Sequence, residues 1–419
     1  MMNPHCRKWL QTSFISLLLI ALLGLVMRYK IAWSLPWINQ KNLLHAHSHF
    51  AFAGWVTQAL MALLVSYLFE KGDKLAFTRY RPILYCNLVT AYGMLLTFPF
   101  TGYALLSITF STLSIFVSYW FAIKFWIDLN RLPQRSTAHK WFKAAVIFNS
   151  ISSLGAFTLA YMLATKDIHP TRYLACVYFF LHFQYNGWFF FACMGLLSHR
   201  LKDWGISELA LRKIYFLFVI ACIPAYFLSA LWLPIPGLIY ILIVIAVFLQ
   251  LAGWVLTVQL IRKVLPAIKT AVSPFARVLC IFCGIALTIK LLLQTGSVIP
   301  SLSQLAFGFR PVIIGYLHLV LLGIISLFII AYSVAFKFIP VTAVSKSGII
   351  IFVSGIIINE LLLMLQGISN MDYYPLPFID PALFIAALIL FSGALVINLG
   401  QQVANMTGRI KRDETISEL

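Results

Sequence analysis

Charge is scarce in this chain. Only 10% of its 419 residues are Asp, Glu, Lys or Arg, and just 12 are acidic. A soluble domain carries about a quarter charged residues, so an ordinary water-soluble globule is excluded. The seven cysteines show no paired loop spacing, which excludes a disulfide-stapled secreted scaffold. A single C-x-x-C, Cys280 with Cys283, falls inside an apolar run and has no second pair beside it. It reads either as a metal or redox pair or as two small packing residues one turn apart. An apolar run over 14–26 follows Arg7 and Lys8 without a small-residue cleavage site after it. It reads as a retained first membrane helix rather than a secretory leader. Matching Gly/Pro breaks in two halves, a mark of inverted-repeat transporters, are also missing.

What remains is apolar: 62% of the residues are hydrophobic, with a mean hydropathy of +0.93. Runs long enough to cross a bilayer occupy about 12–33, 43–69, 82–101, 103–127, 141–165, 172–197, 213–234, 236–261, 275–298, 312–336, 346–368 and 380–403. The expected fold is therefore an all-α membrane protein. It has twelve transmembrane helices in a single polytopic domain over 1–419, with a cytoplasmic tail from about 405. Pro/Gly clusters at 98–102 and 233–237 read as tight turns.

The net charge of +19 does not point to nucleic acid, because the cations sit in short loops between apolar runs. One set of loops is rich in them: Arg7 and Lys8; Lys71, Lys74, Arg79 and Arg81; Arg131, Arg135, Lys140 and Lys143; Arg200, Lys202, Arg212 and Lys213; Arg262, Lys263 and Lys269; Lys337 and Lys346; Arg409, Lys411 and Arg412. The opposite set holds only Arg28, Lys30, Lys41, Lys166, Arg172 and Arg310. This asymmetry places the first set and both termini in the cytoplasm, which for a bacterial protein means the inner membrane. Trp33, Trp37, Tyr373 and Tyr374 fit an interfacial aromatic belt.

Three segments share one word, a histidine followed five residues later by glycine: His49 with Gly54, His182 with Gly187, and His318 with Gly323. The period is nearly even, 133 residues and then 136. Five of the nine histidines (His45, His47, His49, His182 and His318) fall within runs, and only in runs two, six and ten. All three runs descend from the outer face, which puts His49 and His318 ~9 Å deep and His182 ~13 Å deep. An imidazole in lipid is costly without a partner, and neutral imidazole is a common ligand of haem iron and copper. The repeat suggests three four-helix arcs whose histidines share a centre. His45 and His49, four apart, share a helical face, while His47 points away. Each histidine alternatively bonds to a neighbouring Ser, Asn or carbonyl. On a regular α-helix the glycine sits ~140° from its histidine and admits a close neighbouring helix.

Gln184, Tyr185 and Asn186 surround His182 and read either as ligand-orienting groups or as interhelical glue. Lys290, Asn359 and Glu360 are further polar groups inside runs. They read as members of a proton relay or as a Lys290–Glu360 ion pair. Lys41 and Arg310, just before runs two and ten, read either as partners of haem propionates or as ordinary headgroup contacts.

These features resemble the catalytic subunit of the haem–copper oxidase superfamily, which includes nitric oxide reductases and cbb3-type oxidases. The words His47-Ser-His49-Phe-Ala-Phe-Ala-Gly54-Trp55 and Gly315-Tyr-Leu-His318-Leu-Val-Leu-Leu-Gly323 carry the resemblance. It implies a haem, of b type, held between His318 and His49 (or His47 or His45), with copper at His182. It also implies a membrane or periplasmic electron donor and an oxidoreductase, nitric oxide-related or haem/copper-handling role. The chain departs from that family at three places. The run over 213–234 has no histidine pair, Tyr316 stands where the first histidine of H-x-H belongs, and Asn186 replaces the tyrosine found four residues after the helix-six histidine in some members. The copper site implied is therefore incomplete. His45-Ala-His47-Ser48 is also similar to the H-A-H motif of the NnrS haem- and copper-containing family, with Trp55 in place of phenylalanine. The reading from another class is a metal-free multi-span transporter or membrane scaffold.

Overall fold

The computed structural model describes residues 4–167, 169–302, 309–371, 373–374 and 376–417, with side chains to 405. Arg409, Lys411 and Arg412 lie outside the described side chains. Among the described residues every regular element is helical. Ten helices of the described residues are long and apolar enough to cross a membrane: Pro4–Ala32, Gln40–Glu70, Ala76–Thr101, Leu105–Arg131, Thr137–Thr165, Gly237–Lys263, Pro274–Ser297, Arg310–Ala335, Ala343–Met371 and Ile379–Asn405. A bent pair, Glu208–Cys222 with Pro224–Ala230, makes eleven if it counts as one span. The chain is thus a multi-pass, all-α integral membrane protein.

Two expected runs differ from simple spans for physical reasons. The run at 172–197 forms an unbroken helical path from Pro170 to Asp203. Its His182, Gln184 and Asn186 make it less apolar than its neighbours. The run at 213–234 bends by 45°, where Pro224 has no amide hydrogen to continue the ladder. The first helix starts at Pro4 rather than near 12, because Arg7 and Lys8 are carried on its opening turns. Pro99 does not mark a turn: the helix continues through it to Thr101. The chain turns at Gly102, whose φ of +59° favours glycine. A Cβ there would also stand 2.6 Å from Asn42 Oδ1.

The chain divides into two compact units, Met1–Ser114 with Ile329–Leu419, and Ile115–Phe328. In the first unit, helix α1 (Pro4–Ala32) packs against α2 (Gln40–Phe50), α3 (Gln58–Glu70) and the last helix, Ile379–Ser417; α4 (Ala76–Thr101) packs against α2 and α3. Apolar side chains gain nothing by leaving lipid, so helices there associate through close packing. The long helices Ala343–Met371 and Ile379–Ser417 show this: a Cβ on Gly393 would lie 2.5 Å from the Phe352 amide nitrogen, and one on Gly348 2.5 Å from that of Ile397. Asn398 Nδ2 ties the last helix to α1 through the Phe14 carbonyl, at 2.9 Å.

The second unit packs Thr137–Thr165 against the helical path that carries His182. Its buried interior includes Trp141, Phe142, Phe148, Trp188 and Phe191. The bent pair packs on Gly237–Lys263, and Pro274–Ser297 packs on the helix after His318.

Candidate functional site

The three histidine words fold alike. After each histidine the α-helix gives way to a π-helical segment, over Ala51–Thr57, Phe183–Phe189 and Leu319–Ser326. A π turn pairs residue i with i+5, which is the spacing from histidine to glycine in the word. Such segments are rare, cost helix regularity and are frequent at functional sites. In the second and third words the histidine immediately precedes the segment, and the glycine lies inside it. The ~140° separation expected from α-helical geometry therefore does not hold there. The close neighbours do appear: a Cβ on Gly187 would meet Phe148 Cβ at 2.6 Å, and one on Gly323 would meet Ala286 Cβ at 3.2 Å. Gly54 instead accommodates the Phe50 ring of its own helix, 2.5 Å from a built Cβ.

Each irregular segment also has a carbonyl served by a side chain from another helix. Asn87 Nδ2 donates to Ala53 O at 3.0 Å, the Cys222 thiol approaches Asn186 O at 4.0 Å, and the Cys283 thiol approaches Ile324 O at 3.4 Å. In lipid, carbonyls released by a broken ladder need such partners. Cys283 thus has a packing role, and the other member of its pair, Cys280, is exposed.

In the first unit, His45 and His49 share the face turned to α4. The His49 ring stacks on Phe98, with centroids 4.6 Å apart and planes 8° from parallel. Its Nε2 is 3.1 Å from the Tyr103 hydroxyl. The His45 ring meets the same tyrosine edge-on at 4.6 Å, and its buried Nε2 has no hydrogen-bond partner among the described residues. His47 points elsewhere, towards α1, where Gly24 leaves room for its ring. The turn at Gly102 is what brings Tyr103 over the histidine pair.

In the second unit, His182 is buried and bonded at both nitrogens. Nε2 lies 2.8 Å from the Cys222 carbonyl, which can only accept, so Nε2 carries the proton. Nδ1 then accepts from the Asn186 amide at 3.2 Å. As placed, His182 has no lone pair left for copper. Gln184 bonds across to Asn149 and Ser152 at 2.8 and 2.7 Å, so it acts as interhelical glue. The π segments after His182 and His318 adjoin, and Tyr185 meets Tyr316 edge-on at 6.5 Å. His318 Nδ1 lies 2.8 Å from the Ile314 carbonyl of its own helix. The proton therefore sits on Nδ1, and Nε2 is the basic nitrogen. Arg310 is exposed at the first position of that helix.

Lys290 belongs to the second unit and Glu360 to the first; Glu360 accepts from Asn359 Nδ2 at 3.2 Å. Trp37, Tyr373 and Tyr374 are exposed at helix ends, as a belt requires. Among the described residues, no three His, Cys, Asp or Glu side chains gather as a metal-holding group. The residues that sequence reasoning missed are the partners: Tyr103, Asn87 and Cys222. Asn87 alone had a visible signal, as an amide inside an apolar run.

These features define a polytopic α-helical membrane protein with three histidine-anchored π segments. No protein-family model matches the chain, and no curated protein matches it.

Proposed function

We propose that this is a haem-binding integral membrane protein akin to the catalytic subunit of haem–copper oxidases, without a complete copper centre. It would reside in a bacterial inner membrane with both termini cytoplasmic. Its twelve spans would form three pseudo-equivalent arcs of four. The bent pair and the helical path Pro170–Asp203 would be the two spans beyond the ten apolar ones.

One observation carries the reading: the three histidine words share a rare backbone irregularity as well as a sequence pattern. The donor sets fit an iron porphyrin in part. The Ile314 carbonyl holds His318 in the tautomer whose Nε2 can ligate, which is the usual arrangement behind a metal-bound histidine. In the first unit, the orphaned Nε2 of His45 and the Nε2 of His49 share one face. Arg310 is available to a propionate. Bound haem, of b type, would supply one-electron chemistry or diatomic-ligand binding. The role is then electron transfer with a membrane or periplasmic donor, nitric oxide chemistry, or haem and copper handling. His182 would have to give up its bond to Asn186 to meet copper, so it serves here as a structural group.

The test is an absorption spectrum of protein purified after haem-replete expression, oxidised and reduced. A Soret band that His318→Ala and His49→Ala abolish supports the reading. A colourless protein, or a band that survives both substitutions, overturns it. One observation favours a metal-free transporter instead: a buried lysine lining a small polar cavity in the second unit. On that reading the two alanine variants behave as wild type.

A further inference from the structure

We propose that the second unit holds a single small monovalent anion, of halide size, against Lys290. The inference does not depend on haem.

Lys290 lies within the apolar helix Pro274–Ser297 and is 5% exposed. A buried ammonium in lipid needs a counter-charge or must lose its proton. The second unit contains four acidic residues, Asp128, Asp167, Asp203 and Glu208. Each is paired with another cation: Asp128 with Arg131, Asp167 with Arg172, Asp203 with Arg200, and Glu208 with Lys202. Within its unit, then, no carboxylate balances Lys290.

Lys290 lines a cavity of about 20 Å³ together with His182, Asn186 and Gln250. Gln250 is 7% exposed and, like Lys290, lines the cavity. Asn186 gives one amide hydrogen to His182 Nδ1 and keeps the other. Ammonium and amide donors therefore converge on one space, while Phe190, Phe191 and Phe218 complete its wall. These rings keep the local dielectric low, which strengthens attraction between the ammonium and an anion. The volume admits one occupant slightly larger than the smallest space that holds a water. A monovalent anion offsets the one ammonium, whereas divalent sulfate would leave an uncompensated negative charge in the apolar wall. Water fits but leaves the charge unbalanced.

The experiment uses the full-length protein in detergent, exchanged into gluconate and titrated with chloride or bromide at constant ionic strength. Constant ionic strength holds screening of the exposed charges equal. The expected result is a saturable rise in melting temperature with either halide and none with sulfate. Equilibrium dialysis with labelled chloride should give about one ion per chain. Lys290→Met should fold and lose both responses, since replacing a buried charge by an apolar side chain is often tolerated. Gln250→Leu, which keeps the charge, should weaken halide affinity by about tenfold, the loss of one charge-assisted hydrogen bond; it carries the test if Lys290→Met does not fold. No halide response in the wild type, or an equal response in either variant, overturns the proposal.

Discussion

His182 Nε2 donates to the backbone carbonyl of Cys222, 2.8 Å away and 40 residues later in the chain. The bond answers a need created by Pro224. Past the bend, the Tyr226 amide turns back to the Ile223 carbonyl at 3.1 Å, so the Cys222 carbonyl loses its usual helical donor. A histidine that looks like a metal ligand in the sequence is here the cap of a broken helix.

His182→Ala should therefore destabilise the protein by about 1–3 kcal/mol, the cost of leaving a buried carbonyl unpaired. His182→Gln, which can still donate, should recover part of that loss. Thermal melting in detergent decides the matter. An unchanged melting temperature for His182→Ala would show that the carbonyl finds its partner elsewhere.

Asn87 should matter for a parallel reason. Its amide donates both to the Ala53 backbone carbonyl at 3.0 Å and to the Gln58 side-chain Oε1 at 2.7 Å. Asn87→Leu keeps the volume and removes both bonds, and should cost about 1–3 kcal/mol. Hydrogen exchange should show the loss first in the amides of Ala53 to Gln58. If protection there is unchanged, the π segment does not depend on Asn87.

At the contact between the last two helices, Gly393→Ala should destabilise by about 1–3 kcal/mol, because its Cβ would press on the Phe352 backbone. Gly237→Ala is the control: a Cβ there meets nothing within 4 Å, and melting should shift by less than about 0.5 kcal/mol in equivalent terms. Equal effects at both positions would refute the close approach.

Tyr103 competes with any metal for His49 Nε2, from which its hydroxyl stands 3.1 Å. If haem binds as proposed, Tyr103→Phe should raise haem retention roughly two- to tenfold, the worth of one net hydrogen bond. Haem titration of the apo-protein checks this. Weaker binding in the variant would mean that the tyrosine supports the ligand rather than blocking it.

The membrane class, the span positions and the histidine words were legible in the sequence, because hydropathy and residue identity are local properties. Most helix ends fall within a few residues of the expected runs. The π segments were not legible as such: the His–Gly spacing was visible, but a regular α-helix places that glycine on another face. Nor could the sequence tell that His182 spends both nitrogens on Cys222 and Asn186 while Lys290 has no carboxylate beside it in its unit. The bond to Cys222 depends on where Pro224 bends its helix and which carbonyl that bend releases. Hydrogen bonds between residues far apart in the chain exist only once the helices have packed, so tertiary structure alone decides which polar group in the membrane is satisfied and which still needs a partner.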